Sequence, residues 1–185
     1  MSRFDPHASW LPLQAQAAAE TNPTRSALIN EVALHMEYEI KGQLEPLMGT
    51  LTEEPIYHMF GNGEPMVIQG REAVTQFYSG MMATGGQQFH VVVDKCVASD
   101  DHVITEGQVK QVYQAKNLIA MGVTEANGVD INSQELWLSN AQLVTLWPAD
   151  AKGKLIGEDI YFGQSPMATL TPITRAEIPD YYQFF

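Results

Sequence analysis

The sequence contains Gly70-Arg71-Glu72-Ala73-Val74-Thr75-Gln76-Phe77-Tyr78, in which an amphipathic helix is predicted to begin directly after a glycine. Its side chains Val74, Phe77 and Tyr78 recur at helical spacing, and Met81 continues the series. Such spacing places them on one side of a helix, where they can pack against a core. Gly85-Gly86 follow, and glycines are common just beyond a helix C-terminus. The sequence therefore predicts a helix over residues 71–82.

A longer helix is predicted upstream of this stretch. Apolar residues recur at helical spacing from Leu28 to Leu44, which indicates a long helix that begins after Thr24. Residues 1–23 mix Pro, Gln and Ala, and we expect an arm or a short leading helix there.

The remainder of the chain is dominated by strands. Asn62-Gly63 separates the apolar runs 56–60 and 66–68, and Asn-Gly between such runs is typical of a hairpin. Downstream the period changes to two, and strands are predicted over residues 89–98, 103–113, 136–147 and 155–162. Residues 115–134 are ambiguous, and the tail after Pro166 is expected to form an extended cover strand. Helices followed by strands indicate an α+β fold with an antiparallel sheet, in one domain spanning 1–185.

Charge and composition exclude several classes of function. The chain has 22 Asp plus Glu against 10 Lys plus Arg, a formal net charge of −12, which disfavours nucleic acid and anionic membranes as partners. Cys96 is the one cysteine, and no Cys/His cluster has zinc-ligand spacing, so we expect no metal. The apolar run Trp10-Leu11-Pro12-Leu13 is too short for a signal peptide, and we expect a cytoplasmic protein.

Three parts of the chain together resemble one superfamily. The stretch 70–78 is similar to a helix of the pattern G-x-x-A-I/V-x-x-F-Y. Glu54-Pro55-Ile56 is similar to a segment in which an acidic residue is followed by Pro-Val. The strand pair from His90 to Tyr113 is similar to two adjacent strands of the same group of proteins. These features resemble the nuclear transport factor 2-like superfamily, which includes SnoaL-like polyketide cyclases, ketosteroid isomerases and scytalone dehydratases. The resemblance covers about 25–165 and leaves an arm at each end.

The resemblance implies a cone-shaped fold. A strongly curved antiparallel sheet would wrap around the long N-terminal helix as an α+β barrel of cystatin-like topology. The cone would open on an apolar pocket, and the other face of the sheet would build a homodimer. Nine Met, seven Phe, seven Tyr and three Trp suit such a pocket, although they suit an ordinary core equally well.

The resemblance also implies two kinds of function. The first is a cofactor-independent isomerase, dehydratase or cyclase that moves protons on a small apolar carbonyl compound of polyketide, steroid or terpenoid type. The second is a non-catalytic module that binds a hydrophobic ligand or a partner subunit. Epoxide hydrolysis, which also occurs on this fold, is not expected, because no arginine falls in a predicted strand.

Four residues are candidates for catalysis. Glu54 corresponds to the general base of ketosteroid isomerases, although adjacent Glu53 could take its place. Tyr57 and His58 point to opposite faces of the next strand, so only one of them can reach the pocket. His90 corresponds to the first of two histidines in scytalone dehydratase. These side chains could polarise the substrate carbonyl while a carboxylate takes the proton.

Contacts with the substrate are implied for residues of the first long helix, the amphipathic helix and the strands. The candidates are His35, Tyr38, Phe60, Phe77, Tyr113 and Trp147. His35 lies on the apolar stripe of its helix, where it could equally be a core residue. Further strand residues that could face inward or outward are Asp94, Glu106, Glu158 and Tyr161, because alternation does not identify the concave face.

Overall fold

The computed structural model describes residues 3–184, and its regular elements follow the predicted order. The helices are α1 (Leu11–Ala19), α2 (Pro23–Ile40), α3 (Leu44–Gly49), α4 (Arg71–Ala83) and α5 (Ala115–Ala120). The strands are β1 (Leu51–Phe60), β2 (Met66–Gln69), β3 (His90–Ala98), β4 (His102–Gln114), β5 (Glu125–Ala126), β6 (Val129–Asp130), β7 (Leu136–Pro148), β8 (Leu155–Phe162) and β9 (Thr171–Pro172). The ambiguous region 115–134 therefore contains α5 and the small hairpin β5–β6.

The predicted long helix is α2, and α1 packs against it. The side chain of Asn22 caps α2, because its Oδ1 accepts the backbone N–H groups of Thr24 at 2.9 Å and Arg25 at 3.2 Å. Pro23 occupies the first helical position, where its missing N–H costs nothing. Leu13 of α1 is fully buried in the main core, so the leading segment is a packed helix.

The main sheet is mixed and open. Its order is β2-β1-β8-β7-β4-β3, with β9 beside β7. Neighbours pair antiparallel except β1 and β8, which are parallel, so the prediction of a wholly antiparallel sheet needs correcting at this pair. The direction of β8 is set by its hairpin with β7, and that direction matches β1. Within the described residues β2 and β3 form free edges, so the cone is not a closed barrel. The α+β class is confirmed.

Two glycines allow close contacts between strands where the sheet bends. A Cβ atom at Gly107 would lie 1.8 Å from the carbonyl oxygen of Val92, and one at Gly157 would lie 1.7 Å from that of Ile56. Each glycine faces a register shift in the neighbouring strand, in β3 or in β1. Bulges of this kind increase the twist and bend of a strand, which gives the sheet its curvature.

Cores form on both faces of the sheet. The inner face, which faces α2 and α4, carries the main core. The outer face carries a second cluster, composed of Phe4, Val112, Leu136, Leu138, Ile173, Ile178 and Tyr182. The two terminal arms meet there: the Tyr181 hydroxyl donates to Asp5, and the His7 ring stacks on Tyr181 at 3.9 Å between centroids. None of the described helices is both long and apolar enough to cross a membrane.

Candidate active site

A cavity of about 260 Å³ lies between the inner face of the sheet and helices α2 and α4. Much of its wall is apolar, and contributors include Met36, Met59, Phe77, Met81, Phe89 and Trp147. A set of ionisable side chains interrupts this wall, composed of Glu39, Tyr57, Tyr78 and Glu158. An apolar cavity with a few converging polar groups is the usual form of a small-molecule site.

Two carboxyl groups lie at this polar region. Glu39 comes from the last turn of α2 and is 8% exposed, and Glu158 comes from the inner face of β8 and is 6% exposed. Ligand atoms of His35, Glu39 and Glu158 all lie within 4.8 Å of one another. The Glu39 carboxyl makes no hydrogen bond to the part of the chain that the structure describes. A buried carboxyl without such a bond is costly unless it is protonated or meets a ligand.

The ring of His35 is held in one orientation behind these carboxyl groups. Its Nδ1 lies 2.6 Å from Oγ1 of Thr50, and the Thr50 hydroxyl donates to the carbonyl of Leu47 at 2.6 Å. Because Thr50 uses its only hydrogen on Leu47, its oxygen must accept from Nδ1–H of His35. The other ring nitrogen, Nε2, then faces the site and lies 3.3 Å from Oε1 of Glu158.

The hydroxyl of Tyr78 connects the whole group. It donates to Oε1 of Glu158 at 3.1 Å and lies 3.0 Å from Nε2 of His35. The Tyr57 hydroxyl is 2.9 Å from the hydroxyl oxygen of Tyr78. It can donate to that oxygen, because the hydrogen of the Tyr78 hydroxyl is used in the bond to Glu158. Tyr78 of α4 therefore bonds directly to the carboxylate on β8, and Tyr57 of β1 bonds to Tyr78.

The environment of the site changes proton affinities. Burial raises the pKa of the Glu39 carboxyl well above its usual range, and the charge of Glu158 raises it further. Burial also raises the pKa of Tyr57 and of Tyr78, with contributions from Glu158 and Glu39 respectively. The environment therefore favours the protonated form of Glu39 and the protonated form of both phenols.

The same cluster has the spacing of a cation site. His35, Glu39 and Glu158 could each offer one ligand to a divalent ion, and one imidazole with two carboxylates suits several transition metals. Such an ion would compete with the Tyr78 hydroxyl, which already bonds to Nε2 and Oε1. A proton shared within the cluster is compatible with every one of these contacts.

A family model of the SnoaL-like domain matches residues 32–133, more than half of the chain. The chain belongs to the SnoaL-like domain family. No curated protein matches it.

Solved structures share the architecture of this SnoaL-like domain at low sequence identity. A protein from Shewanella putrefaciens CN-32 named as a SnoaL-like polyketide cyclase is 12% identical, with a TM-score of 0.58 over 82% of this chain and 87% of that chain. The epoxide hydrolase/cyclase-like enzyme SalBIII, described in pyran ring formation in the polyether salinomycin, is 14% identical. Its TM-score is 0.52, over 79% of this chain and 95% of SalBIII. An LEH-like epoxide hydrolase from M. tuberculosis is 13% identical, with a TM-score of 0.51 over 75% of this chain and 84% of the hydrolase. At these identities the likeness shows the fold alone.

The structure brings several predicted residues of the SnoaL-like domain to the cavity. Tyr57, Phe77, Tyr113 and Trp147 line it. His35 lies directly behind the lining, fully buried and in contact with Tyr57 and the Trp147 ring.

Three predicted catalytic residues lie elsewhere. Glu54 is exposed on β1. His58 is half-buried on the outer face, with Nδ1 at 2.6 Å from Asp159. His90 is also on the outer face, where Nδ1 accepts the backbone N–H of Asp5 at 3.2 Å. Their catalytic roles stay predictions, but this geometry does not bring them to the cavity.

Two predicted substrate contacts are also placed away from the lining. Tyr38 is half-buried and packs against the main core. Phe60 stacks on Tyr161 at 4.9 Å between ring centroids, on the outer face. The sequence left undecided which face of the sheet Glu158 and Glu106 occupy. In the structure Glu158 points into the cavity, whereas Glu106 pairs with Lys95 at 2.9 Å on the outer face.

Sequence reasoning missed Glu39 and Tyr78 as members of the site. Both carried a usable signal. Glu39 stands four residues after His35 and so shares its helix face, and Tyr78 belongs to the apolar stripe of α4. A polar or ionisable group at a buried helical position is more informative than one in an exposed loop.

Proposed function

We propose that this SnoaL-like domain is a cofactor-independent enzyme that moves a proton within a small apolar carbonyl compound, and so isomerises, dehydrates or cyclises it. The observation that carries the proposal is the pair of buried carboxyl groups, Glu39 and Glu158, at one region of an apolar cavity. Two titratable groups whose surroundings differ are the usual basis of combined acid and base catalysis.

Glu158 takes the part of the base in this proposal. Its Oε1 accepts the Tyr78 hydroxyl, and its carboxylate borders the cavity, where it can take a proton from a carbon next to a carbonyl. A negative charge at Glu158 raises the pKa of the Glu39 carboxyl, so a base at Glu158 favours retention of the proton on Glu39.

Glu39 takes the part of the acid. Its carboxyl has no hydrogen-bond partner within the described chain, so its proton is available to an oxygen of the substrate. When Glu158 removes the carbon proton, negative charge develops on the carbonyl oxygen, and Glu39 can donate a hydrogen bond to it. In a dehydration Glu39 would instead protonate the leaving hydroxyl. Tyr78 holds the carboxylate of Glu158 in place, and its own hydroxyl is bonded to that of Tyr57.

The family and fold support this class of reaction without identifying it. SalBIII is named as epoxide hydrolase/cyclase-like, and the Shewanella putrefaciens protein is named as a polyketide cyclase. Epoxide hydrolysis by an arginine-containing site is not favoured here, because no arginine of the described part of the chain lines the cavity; Arg71, for example, donates to the carbonyls of Thr52 and Met48.

Deuterium exchange tests the proposal directly. A panel of cyclic ketones and enones is incubated with the protein in D₂O, and incorporation next to the carbonyl is followed by NMR. We expect Glu158→Gln to lower the exchange rate by about 100-fold or more. The matched control is Glu54→Gln, which removes an exposed carboxylate outside the cavity and should leave the rate unchanged. If Glu158→Gln exchanges deuterium at the wild-type rate and Glu54→Gln does not, then Glu54 and not Glu158 is the base.

A binding function is the second candidate, because methionines contribute repeatedly to the cavity wall. Met36, Met59, Met81 and Met167 all line it, and flexible methionines suit the binding of varied apolar ligands. Tight binding of the panel ketones with no exchange above the rate in buffer would support this function over the enzyme.

We also propose that the protein is a homodimer through the outer face of the sheet. Val97 and Ile104 are paired on adjacent strands of that face, and both are exposed, as is Tyr161. Exposed apolar groups of this kind favour association. Light scattering should give a mass of about twice 20.5 kDa, and Val97→Lys with Ile104→Lys should reduce it to one chain.

A further inference from the structure

Two threonines form a second polar position in the cavity, away from the carboxyl groups. Thr105 on β4 and Thr145 on β7 are directly opposite each other in the register of the two strands. Both line the cavity, and they are 5% and 2% exposed. Directly paired residues of neighbouring strands hold their Cβ atoms about 5 Å apart, so one ligand atom can reach both side chains.

The hydroxyl groups of this pair are incompletely used. Oγ1 of Thr105 accepts the indole N–H of Trp147 at 3.1 Å, which leaves the hydrogen of Thr105 free to donate. The hydroxyl of Thr145 has no hydrogen-bond partner among the residues that the structure describes. The Thr145 oxygen remains accessible from the cavity, so water or a ligand can complete its hydrogen bonding. The pair therefore offers two donors to an oxygen inside the cavity.

The distance between the two polar positions follows from the strand register. Thr145 pairs with Ile160 on β8, and Glu158 lies two residues away on the same inner face. Two residues of strand span about 7 Å. The carboxyl pair and the threonine pair are thus separated by roughly the width of a small ring system, with Trp147 lining the cavity on the strand of Thr145.

We propose that the ligand of this cavity carries a second oxygen, which accepts hydrogen bonds from Thr105 and Thr145 while its carbonyl lies at Glu39 and Glu158. The inference rests on the proposed function for the reaction at the carbonyl. A cavity of about 150 Å³ holds benzene. A cavity of about 260 Å³ therefore suits one or two rings. The substrate class is a small cyclic ketone oxygenated on the side remote from its carbonyl.

Thr145→Val and Thr145→Ser form a matched pair of variants. Valine keeps the shape of threonine and removes the hydroxyl, whereas serine keeps the hydroxyl. Affinity for 1-tetralone and 6-hydroxy-1-tetralone is measured by calorimetry on wild type and both variants. We expect wild type and Thr145→Ser to bind the hydroxylated ketone about 3- to 10-fold more tightly than 1-tetralone. Thr145→Val should show a clearly smaller preference, because only the hydroxyl of Thr105 can then donate to the second oxygen.

Unfolding of the free protein supplies a second readout. Since the hydroxyl of Thr145 has no partner in the described chain, Thr145→Val should unfold at the same temperature as wild type or higher. A lower unfolding temperature would show that the hydroxyl has a structural role and would overturn the inference. The same preference for the hydroxylated ketone in wild type and Thr145→Val would also overturn it, and so would failure of wild type to bind either ketone.

Deuterium exchange at C2 of the bound ketones separates this inference from the proposed function. If the preference depends on Thr145 but wild type exchanges no deuterium, the two-point recognition stands and the proton-transfer function fails. If exchange occurs and Thr145→Val leaves the preference intact, the function stands and the recognition fails.

Discussion

Glu39 on α2 and Glu158 on β8 bring two buried carboxyl groups to within 4.8 Å of each other, and the structure gives them unequal surroundings. Glu158 accepts a hydroxyl from Tyr78, whereas Glu39 has no hydrogen bond within the described chain. Two carboxylates so close cannot both be ionised at low cost, so one proton is retained between them. This asymmetry gives the pair separate acid and base roles.

The stability of the protein should fall as the pH rises, because of Glu39. Its pKa is raised in the folded state, so above the unfolded value of about 4.3 the folded chain binds a proton that the unfolded chain has released. The resulting stabilisation is complete below that value and is lost as the pH rises through the folded pKa. Each pH unit in that window lowers the free energy of unfolding by up to about 1.4 kcal/mol.

Glu39→Gln tests this dependence by urea denaturation at pH 5 and pH 8. The variant should lose less stability between the two pH values, and it should exceed wild type at pH 8. Glu54→Gln, which changes an exposed carboxylate, should follow the wild-type curve. If Glu39→Gln follows that curve as well, Glu39 does not retain the proton.

Tyr78 should contribute more to stability than Tyr57, because its hydroxyl has more partners. Tyr78→Phe removes contacts with His35, Glu158 and Tyr57, at 3.0, 3.1 and 2.9 Å. We expect Tyr78→Phe to lower the free energy of unfolding by about 2–3 kcal/mol and Tyr57→Phe by about 1 kcal/mol. The double variant should lose less than the sum, since the two residues share one bond. Equal and additive losses in urea denaturation would contradict the central position of Tyr78.

Removal of divalent metal should leave the protein unchanged. The Tyr78 hydroxyl occupies the contacts with His35 and Glu158 that an ion would need. We expect dialysis against EDTA to change the deuterium exchange rate by less than about twofold. The midpoint temperature of unfolding should change by less than about 2 °C. The purified protein could instead contain one metal ion per chain that is lost, together with activity, on chelation. That result would contradict the prediction and show that the cluster is a metal centre.

Acid should weaken the attachment of the N-terminal arm through His90. Burial, followed by the charge of Lys110, lowers the pKa of His90 to about 4, and its neutral Nδ1 accepts the N–H of Asp5. Between this value and the unfolded value of about 6.5, the unfolded chain binds the additional proton, so stability falls as the pH falls. Phe4, Asp5 and Lys110 are the neighbours that face this ring.

His90→Gln should flatten this acid dependence, measured as the difference in unfolding temperature between pH 4.5 and pH 7. His102→Gln is the matched control, because His102 is exposed at the start of β4. A difference in His90→Gln as large as in wild type would show that other groups cause the loss of stability in acid.

Most of the fold could be predicted from local patterns. The predicted helix over 71–82 is α4, and Asn62-Gly63 lies between the paired strands β1 and β2. The parallel pairing of β1 with β8 could not be predicted, because periodicity identifies a strand but not its partner. Nor does it show a bulge: the shift between Val93 and Lys95 in β3 moves Cys96 to the face opposite His90.

The site was predicted only in part, for a related reason. The register shift between Leu51 and Ile56 interrupts alternation in β1, so periodicity could not relate the orientation of Glu54 to that of Tyr57. In the structure Tyr57 lines the cavity, whereas Glu54 is exposed. The pairing of Glu39 with Glu158 joins the end of α2 to the last long strand, and no local pattern connects two such distant positions.

The position of β8 in the sheet has a consequence for the order of assembly. β8 lies between β1 and β7, so without it the sheet separates into a two-stranded and a larger part. Glu158 and its hydrogen bond to Tyr78 are supplied by the same strand. During synthesis, the polar end of the cavity therefore cannot close until residue 162 has left the ribosome. The approach of Glu39 to Glu158, and the energetic cost of burying these two carboxyl groups together, therefore arises only once β8 has joined the sheet.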